Sequence, residues 1–300
     1  MALTGSTGQL GAAVAEEFAA GHEVSAFTHA DLDVTDARAV AAAMEAARPD
    51  VIINCTAFND VDGAEDRPVE ALNTNAFTVR TLAQTAEALG ATLVHYSTDF
   101  VFDGTASAPY RESDPPNPRS TYGLSKLLGE WFALEAPGAY VLRVESLFGS
   151  AAGRPGQGSK GTVAGIVNTL MSGGEARVFE DRTVSPTYVV DAARATRQIV
   201  ERRIEPGLYH CVNAGHSTWL EFARELARQL GIEARLRAVR MADVPMKAER
   251  PLYCALSIEK LTAAGVTMPE WQNGVARYLQ QFRNNLANPI ANRQAGRQSG

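Results

Sequence analysis

The sequence predicts an α/β protein built on a doubly wound parallel sheet, with a smaller second lobe after it. Short apolar runs alternate with amphipathic stretches through the first half of the chain, as in repeated βαβ units. Pro49 and Gly90 end two amphipathic stretches directly before apolar runs, because proline stops a helix and glycine caps its C-terminus. A glycine-rich turn joins the first apolar run to the first amphipathic stretch. These signals together favour strands and helices that alternate along one parallel sheet.

The expected elements follow in order. In the first half, strands are predicted at Ala2–Thr4, 23–27, Val51–Asn54, 92–97 and 139–144, and helices at 12–20, 36–47, 76–89 and 122–135. In the second half, helices are predicted at 162–172, 190–203, 219–230 and 269–286, and strands at 177–179 and 208–212. Ser217 and Thr218 are residue types that cap helix N-termini, which supports a helix start at Trp219. The regular alternation stops at the Gly- and Ser-rich segment 149–161, where we expect the first domain boundary.

Composition excludes several classes of protein. The 300 residues are 45% hydrophobic and 21% charged, which is typical of a globular chain. The net charge of −6 and the lack of a Lys/Arg cluster argue against nucleic-acid binding, and no apolar run approaches the ~18 residues of a membrane span. The three isolated cysteines predict reduced thiols. The glycine turn starts at Thr4 and Gly5, so we expect no signal peptide. Together these features predict a cytoplasmic location.

Three glycines indicate a nucleotide-binding turn. Gly5, Gly8 and Gly11 have the spacing G-x-x-G-x-x-G between the first predicted strand and an Ala-rich helix. Glycine permits the tight turn and the close approach of the backbone to a pyrophosphate, while the helix N-terminus supplies oriented N–H groups. Because this turn is the first strand-to-helix joint of an alternating chain, it predicts a Rossmann-type dinucleotide site. The strand before it is short, and whether it is the native start stays open.

Tyr122 and Lys126 form the second candidate site. Residues four apart lie on one helix face, so the Lys126 ammonium is expected near the Tyr122 phenol, where it would lower the phenol pKa from about 10. Such a phenol transfers the proton that accompanies hydride transfer at a carbonyl or alcohol. Thr98 lies at the carboxyl end of a predicted central strand, where open α/β sheets bind ligands, and its hydroxyl is a candidate partner for the substrate oxygen.

Other catalytic classes lack their signatures. The S-x-x-K match at 257–260 has no S-D-N or K-T-G companion, and the chain has no G-x-S-x-G, so a serine acyl-enzyme is not indicated. The five histidines show neither H-x-x-x-H spacing nor paired cysteines, so we predict no metal ligands. Nothing in the sequence supports a Mg²⁺ requirement.

Several further motifs are similar to those of a known family. They are T-G-x-x-G-Q-L-G at 4–11, D-L-D-V-T at 31–35, R-P-D-V-I-I-N at 48–54, V-D-G-A-E at 61–65, S-T-D-F-V-F-D-G at 97–104, Y-G-x-S-K-L-x-G-E at 122–130, S-P-T at 185–187 and G-L-Y-H at 207–210. From residue 2 to about 283, this set resembles dTDP-4-dehydrorhamnose reductases, which are extended short-chain dehydrogenases.

The resemblance implies an activity and a set of roles. The activity is NAD(P)H-dependent reduction of the 4-keto group of a nucleotide-linked 6-deoxyhexose, as in dTDP-L-rhamnose biosynthesis. Tyr122 would donate the proton, Lys126 would hold the nicotinamide ribose, and Thr98 would orient the keto oxygen. The implied cofactor-binding residues are Gly5, Gly8, Gln9, Leu10, Gly11, Asp33, Val34, Thr56, Ala57, Phe58, Tyr96, Tyr122 and Lys126. The implied substrate-binding residues are Thr98, Asp99, Tyr122, Leu147 and Arg250.

The same resemblance divides the chain into two lobes. Residues 1–148 with about 184–212 are expected to form the NAD(P)-binding domain. Residues about 149–183 with 213–286 are expected to form the substrate-binding lobe, and 287–300 a flexible tail.

The chain also departs from the family pattern near the substrate. Where relatives usually have R-T-S-W-V-Y-G, residues 143–149 are R-V-E-S-L-F-G, so the tryptophan expected against the sugar is lost. Leu147 cannot stack on a sugar face as an indole does, and Glu145 introduces a charge. Residues 181–184 are D-R-T-V where relatives usually have Q-x-G before Ser185. Arg250 is either a partner for the diphosphate or a surface residue. The identity of the sugar and of its nucleotide therefore stays open.

Cofactor preference and two rival functions also stay open. After the second strand only His29 is available for a 2′-phosphate, and the first acidic residue is Asp31, so NADH and NADPH are both compatible. A sugar-nucleotide epimerase of the same fold is one alternative. A dehydratase is disfavoured, because Phe100 follows Asp99 where a glutamate is usual. The alternative from another class is a non-catalytic regulatory subunit that binds the cofactor. We expect no membrane or nucleic-acid partner, and a homodimer stays open.

Overall fold

The computed structural model describes residues 1–149 and 162–287. Most of the expected connection at 149–161 and of the expected tail at 287–300 therefore lies outside the described residues. Within the described ranges, no helix is both long enough and apolar enough to cross a membrane.

A six-stranded parallel sheet forms the centre of the fold, as the alternating pattern predicts. Its strands are β1 (Ala2–Thr4), β2 (Ser25–Phe27), β3 (Val51–Asn54), β4 (Thr92–Thr98), β5 (Tyr140–Val144) and β10 (Gly207–His210). They lie in the order β2-β1-β3-β4-β5-β10, and every neighbouring pair is parallel. The strand order reverses between β1 and β3, and ligands of doubly wound sheets bind beside this kind of switch point. The Rossmann-type prediction is confirmed.

The remaining elements bound the sheet or follow it. The other strands are β6 (Leu147–Phe148), β7 (Glu175–Phe179), β8 (Thr183–Val184), β9 (Thr187–Tyr188), β11 (Ser217–Thr218) and β12 (Arg235–Val239). The helices are α1 (Gln9–Ala19), α2 (Ala37–Ala47), α3 (Val61–Asp66), α4 (Pro68–Leu72), α5 (Thr78–Leu89), α6 (Thr121–Glu135), α7 (Thr162–Met171), α8 (Val189–Arg202), α9 (Trp219–Leu230), α10 (Glu259–Ala263) and α11 (Trp271–Ala287). Most expected elements are present, with ends that differ by a few residues.

Both faces of the sheet are covered, which explains its apolar strands. Along β4, Leu93 packs in the cluster that contains α2 and α5, and the next residue, Val94, packs in the cluster that contains α1 and α8. Successive side chains of a strand point to opposite faces, so a strand buried on both sides is apolar at nearly every position. Leu93 and Val94 are both fully buried.

The segment before α5 is the main feature that the helical pattern missed. The prediction starts a helix at 76, whereas the chain is already helical in α3 and α4 and forms a π-helical turn at Asn73–Phe77. Pro68 begins α4 and hides this continuity from a sequence pattern, because proline normally interrupts a helix. The π turn directs the buried Asn75 side chain towards the Ser125 hydroxyl, 2.9 Å away.

A separate apolar cluster unites the C-terminal elements. Side chains of α7, β7, α9 and α11 pack together there, and β7 pairs with β12 in parallel. The helix start expected at Trp219 is present, with a capping box between Thr218 and Glu221. The division into two lobes stays a prediction, which this partition of the apolar side chains supports.

Candidate active site

A cavity of about 410 Å³ opens at the carboxyl ends of four sheet strands. Each strand leads into a loop or helix start that contributes to the wall, as expected for an open α/β sheet. The wall consists of Gly8, Gln9, Leu10 and Gly11 after β1; Cys55, Thr56, Ala57, Asn59 and Val61 after β3; Tyr96, Ser97, Thr98, Asp99 and Phe100 at the end of β4; Tyr122 and Lys126 from α6; and Val144, Glu145, Ser146 and Leu147 after β5.

The glycine turn is packed too tightly for side chains. Gly5 has φ +70°, and a Cβ atom added at Gly11 would lie 2.2 Å from the carbonyl oxygen of Gly5. Gly8 is the N-cap of α1, and among the described residues this helix start has no side-chain capping hydrogen bond. Its N–H groups are therefore available to an anion, and the positive end of the helix dipole adds to the attraction. This geometry fits the diphosphate of a dinucleotide.

A buried amide side chain fixes the start of the loop after β3. Asn54 accepts hydrogen bonds from the Thr4 hydroxyl at 2.8 Å and from the backbone N–H of Thr56 at 3.0 Å. The Thr56 hydroxyl is buried and has no partner among the described residues. A buried polar atom without a partner is unfavourable, so a ligand that hydrogen-bonds to Thr56 would remove this cost.

Tyr122 lies in the cavity wall, but its pKa departs from the expectation. The residue is 8% exposed, and its ring meets that of Phe100 edge to face, with 5.4 Å between centroids. Burial raises the pKa of Tyr122 above its ordinary value, although a hydrogen bond with Thr98 acts in the opposite direction. The predicted lowering by Lys126 is therefore wrong for the protein without ligands, because desolvation of the phenolate dominates.

Lys126 is directed at the sheet. Its Nζ atom donates to the carbonyl oxygen of Tyr96 at 2.6 Å. Burial lowers the pKa of Lys126 to about 8, against the raising influence of Glu130. Tyr96 is in turn fixed by a hydrogen bond of 2.5 Å between its hydroxyl and that of Thr196. The amine thus has a defined position on the floor of the cavity.

An ion pair under the cavity supports this floor. Both carboxylate oxygens of Glu130 accept from Arg143, at 2.8 and 2.7 Å, and the Ser97 hydroxyl donates to Glu130 at 2.5 Å. The two charged side chains are each only 2% exposed. The pair connects α6, β4 and β5, which together carry the catalytic candidates.

A buried polar cluster lies next to Thr98. Single ligand atoms of Asp99, Glu145 and Cys254 lie within 4.8 Å of one another. The Arg182 guanidinium is 3.8 Å from Asp99 Oδ2 and 3.7 Å from Cys254 Sγ. Because this cation already occupies the cluster, we assign no metal ion to it. Burial raises the pKa of both carboxyl groups.

The cavity wall contains most, but not all, of the residues implied by the resemblance. Gly8, Gln9, Leu10, Gly11, Thr56, Ala57, Tyr96, Thr98, Asp99, Tyr122, Lys126 and Leu147 line it, whereas Gly5, Asp33, Val34, Phe58 and Arg250 do not. Gly5 shapes the turn from behind. Asp33 is exposed and bonded to Thr35. The roles of all these residues stay predictions.

Arg250 is already paired. Its Nη1 and Nη2 atoms donate to the two carboxylate oxygens of Asp62, each at 2.9 Å. This ion pair lowers the pKa of Asp62 to about 2. The pair joins the second half of the chain to α3, so a role for Arg250 at a diphosphate requires that the diphosphate compete with Asp62.

Sequence reasoning left several wall residues out of the predicted site. Cys55 and Asn59 follow β3, and Ser146, with φ +44°, follows β5. The sequence marks Glu145 as a departure from the family pattern but does not place it in the cavity wall. Their positions directly after strand ends were the available signal, because the loops at those ends form ligand sites in open α/β sheets.

Comparisons with known proteins find relatives along nearly the whole chain. A family model described as the RmlD substrate binding domain matches residues 1–284. The dTDP-4-dehydrorhamnose reductase of Mycolicibacterium smegmatis is 37% identical over 278 residues, which cover 91% of this chain and 83% of that protein. The spore coat polysaccharide biosynthesis protein SpsK of Bacillus subtilis is 32% identical over 281 residues, which cover 93% and 96%. The crystal structure of the Bacillus anthracis dTDP-4-dehydrorhamnose reductase in complex with NADP has a TM-score of 0.87 and 30% identity, covering 93% of this chain and 98% of that one.

Proposed function

Since the chain belongs to the family of the RmlD substrate binding domain, we propose that it is a dTDP-4-dehydrorhamnose reductase-like enzyme. It uses NADPH or NADH to reduce the 4-keto group of a dTDP-linked 6-deoxyhexose. The observation that carries this proposal is the meeting of Tyr122, Lys126 and Thr98 in one cavity with the glycine turn at Gly8–Gly11. A proton donor and a dinucleotide site are thereby brought to the same place.

The described residues fit a nicotinamide dinucleotide. The N-terminus of α1, which has no side-chain cap and begins in a turn that leaves no room for a side chain at Gly11, would hold the diphosphate. The unpartnered Thr56 hydroxyl and the Lys126 amine bind the middle of the cofactor and the nicotinamide ribose. When bound, the reduced cofactor supplies the hydride that the carbonyl carbon receives.

Three side chains serve the substrate. Thr98 would donate a hydrogen bond to the keto oxygen and fix its direction, which requires that its hydroxyl turn from Asp99 Oδ1, to which it donates at 2.9 Å. Tyr122 donates its phenolic proton to the same oxygen as the alcohol forms. Lys126, when protonated, stabilises the phenolate that Tyr122 becomes, since a neighbouring positive charge favours the ionised form. A tyrosine with a raised pKa holds its proton until the oxygen develops charge.

The wall beyond the reacting centre contacts the sugar and its nucleotide. Leu147 is half-buried and contributes apolar surface to the wall, and Asp99 lies beside Thr98. Arg250 is a diphosphate ligand only when it is released from Asp62. We also infer a cytoplasmic location, which the three free cysteines support. A homodimer is compatible with the site, and nothing in the cavity calls for Mg²⁺.

The direct test follows NADPH and NADH absorbance with dTDP-4-keto-6-deoxyhexose generated in the assay. We expect oxidation by the wild type and a loss in kcat of about 10²- to 10⁴-fold in Tyr122→Phe, with cofactor affinity retained. Absence of oxidation with every dTDP-linked keto-sugar, despite cofactor binding, would overturn the proposal. The epimerase alternative predicts instead that the cofactor stays bound and that no net oxidation occurs. The regulatory-subunit alternative predicts that Tyr122→Phe leaves the biological activity unchanged.

A further inference from the structure

The cluster around Glu145 contains buried atoms with unused hydrogen-bonding capacity. Oε2 of Glu145 accepts from the backbone N–H of Ser185 at 2.8 Å, whereas Oε1 has no partner among the described residues. Oδ1 of Asp99 accepts from Thr98 at 2.9 Å. Within the described parts of the chain, Asp99 Oδ2 accepts no hydrogen bond and Arg182 Nε has no acceptor. Native proteins seldom leave several buried polar atoms unsatisfied in one place, which indicates that a ligand completes the cluster.

Glu145 lies beside the reacting centre. Val144 pairs with Thr98 across β5 and β4, so the next residue, Glu145, leaves the sheet next to Asp99. Neighbouring strands are about 4.8 Å apart. Glu145 and Thr98 both line the cavity, and a group that reaches Glu145 is therefore close to the carbonyl held at Thr98.

The cluster is suited to a hydroxyl group. The Arg182 guanidinium interacts electrostatically with both carboxyl groups. Both groups are nearly inaccessible to water, with 2% exposure for Glu145 and 3% for Asp99. Burial and the charge of Asp99 both raise the pKa of Glu145, which favours the protonated acid at this position. A carboxylic acid both donates and accepts hydrogen bonds, and so does a hydroxyl.

We propose that Glu145 is a specificity-determining residue that binds the sugar hydroxyl next to the reacting carbonyl. In a 4-keto-6-deoxyhexose, carbon 5 carries the ring oxygen and the methyl group, so this hydroxyl is the one on carbon 3. The inference rests on the proposed function. It assigns a role to the residue that departs from the family pattern, because a carboxyl group reaches further than the serine usual there.

The test compares a dTDP-4-keto-6-deoxyhexose with its 3-deoxy and 2-deoxy analogues on wild type, Glu145→Ala and Glu145→Gln. In the wild type, removal of the 3-hydroxyl is expected to lower kcat/KM by about 10- to 100-fold, and removal of the 2-hydroxyl by much less. Glu145→Ala loses this discrimination and treats the parent sugar and the 3-deoxy analogue alike. Glu145→Gln, which keeps a donor and an acceptor, retains most of it. Melting temperature and NADP⁺ binding check that each variant is folded.

A second readout separates this inference from the proposed function. Binding of the dTDP-6-deoxyhexose, which is already reduced at carbon 4, and of its 3-deoxy form is measured by calorimetry with NADPH present, a combination in which no hydride can be transferred. If the wild type does not oxidise NADPH but still binds the two sugars with different affinities, and Glu145→Ala removes the difference, only the proposed reaction fails. If Glu145→Ala weakens the binding of both sugars equally, or the wild type does not distinguish them, the inference is overturned, and Glu145 serves only to hold the backbone of Ser185.

Discussion

The Nζ atom of Lys126 lies 2.6 Å from the carbonyl oxygen of Tyr96, so the sheet rather than the Tyr122 phenol fixes the amine. An ammonium group has three donors, and this hydrogen bond uses one. The other two are available to a bound cofactor. The position of the amine is thus set before any ligand arrives, which reduces the entropy lost when the site is completed.

The buried amine predicts a pH dependence of stability. Burial lowers the pKa of Lys126 from 10.5 in the unfolded chain to about 8. Between these values the unfolded chain binds more protons than the folded one, so the contribution of Lys126 to the free energy of unfolding rises with pH. From about pH 8 to about pH 10, wild type should gain roughly 2 kcal/mol relative to Lys126→Met.

Denaturant unfolding of both proteins without cofactor measures this difference. The comparison with Lys126→Met removes the contributions of all other titrating groups. A constant difference across the pH range would mean that the amine keeps its ordinary pKa, and the account of a desolvated Lys126 would then be wrong.

The ion pair under the cavity predicts a large loss of stability. In Glu130→Gln, Arg143 stays buried but loses its negative partner. Breaking a buried pair from one side costs about 3 kcal/mol or more, so the free energy of unfolding should fall by that amount. Glu259→Gln is the matched control, because its pair with Arg111 is exposed and should change stability by less than about 0.5 kcal/mol. Similar effects of the two substitutions would contradict the prediction.

The glycine turn predicts a steric effect of a single methyl group. The Cβ atom in Gly11→Ala would meet the Gly5 carbonyl oxygen at 2.2 Å, so the turn must shift. We expect a loss of about 1–3 kcal/mol in stability and weaker NADPH binding in a fluorescence titration. In Gly165→Ala, the new methyl group lies in open space on α7 and should stabilise by about 0.5–1 kcal/mol. Unchanged NADPH affinity in Gly11→Ala would show that the turn does not hold the cofactor.

The ion pair between Arg250 and Asp62 predicts that substitutions of its two members act differently on the affinity for the nucleotide sugar. If the diphosphate takes Arg250 from Asp62, Arg250→Met should raise the KM for the nucleotide sugar by about 10-fold, through loss of charge-assisted hydrogen bonds. Asp62→Asn should lower the KM or leave it unchanged, because it removes the competitor. Steady-state kinetics at saturating cofactor distinguish the two variants. An unchanged KM in Arg250→Met would assign this residue a structural role only.

The predictions that the fold confirms depend on short-range regularities. The alternation of apolar and amphipathic segments is visible along the chain, and it locates the six-stranded sheet. The spacing of Tyr122 and Lys126 puts them on one face of α6, since residues four apart share a face. Thr98 at a strand end lies in the cavity with them. The π turn at Asn73–Phe77 was not predictable in this way, because it has no distinctive residue period.

The sequence by itself determined the alternation of strands and helices along the sheet, the glycine turn and the candidate catalytic residues. Only the tertiary structure decided how those residues are paired. Lys126 bonds to Tyr96 rather than to Tyr122, Arg250 is held by Asp62 at a separation of 188 residues, and Glu145 meets Ser185. Periodicity indicates which nearby residues share one face of a helix or strand. Burial depends instead on which distant segments come together, and the pKa of Tyr122 depends on burial. Desolvation is a property of the assembled cavity, so it is absent from any local pattern.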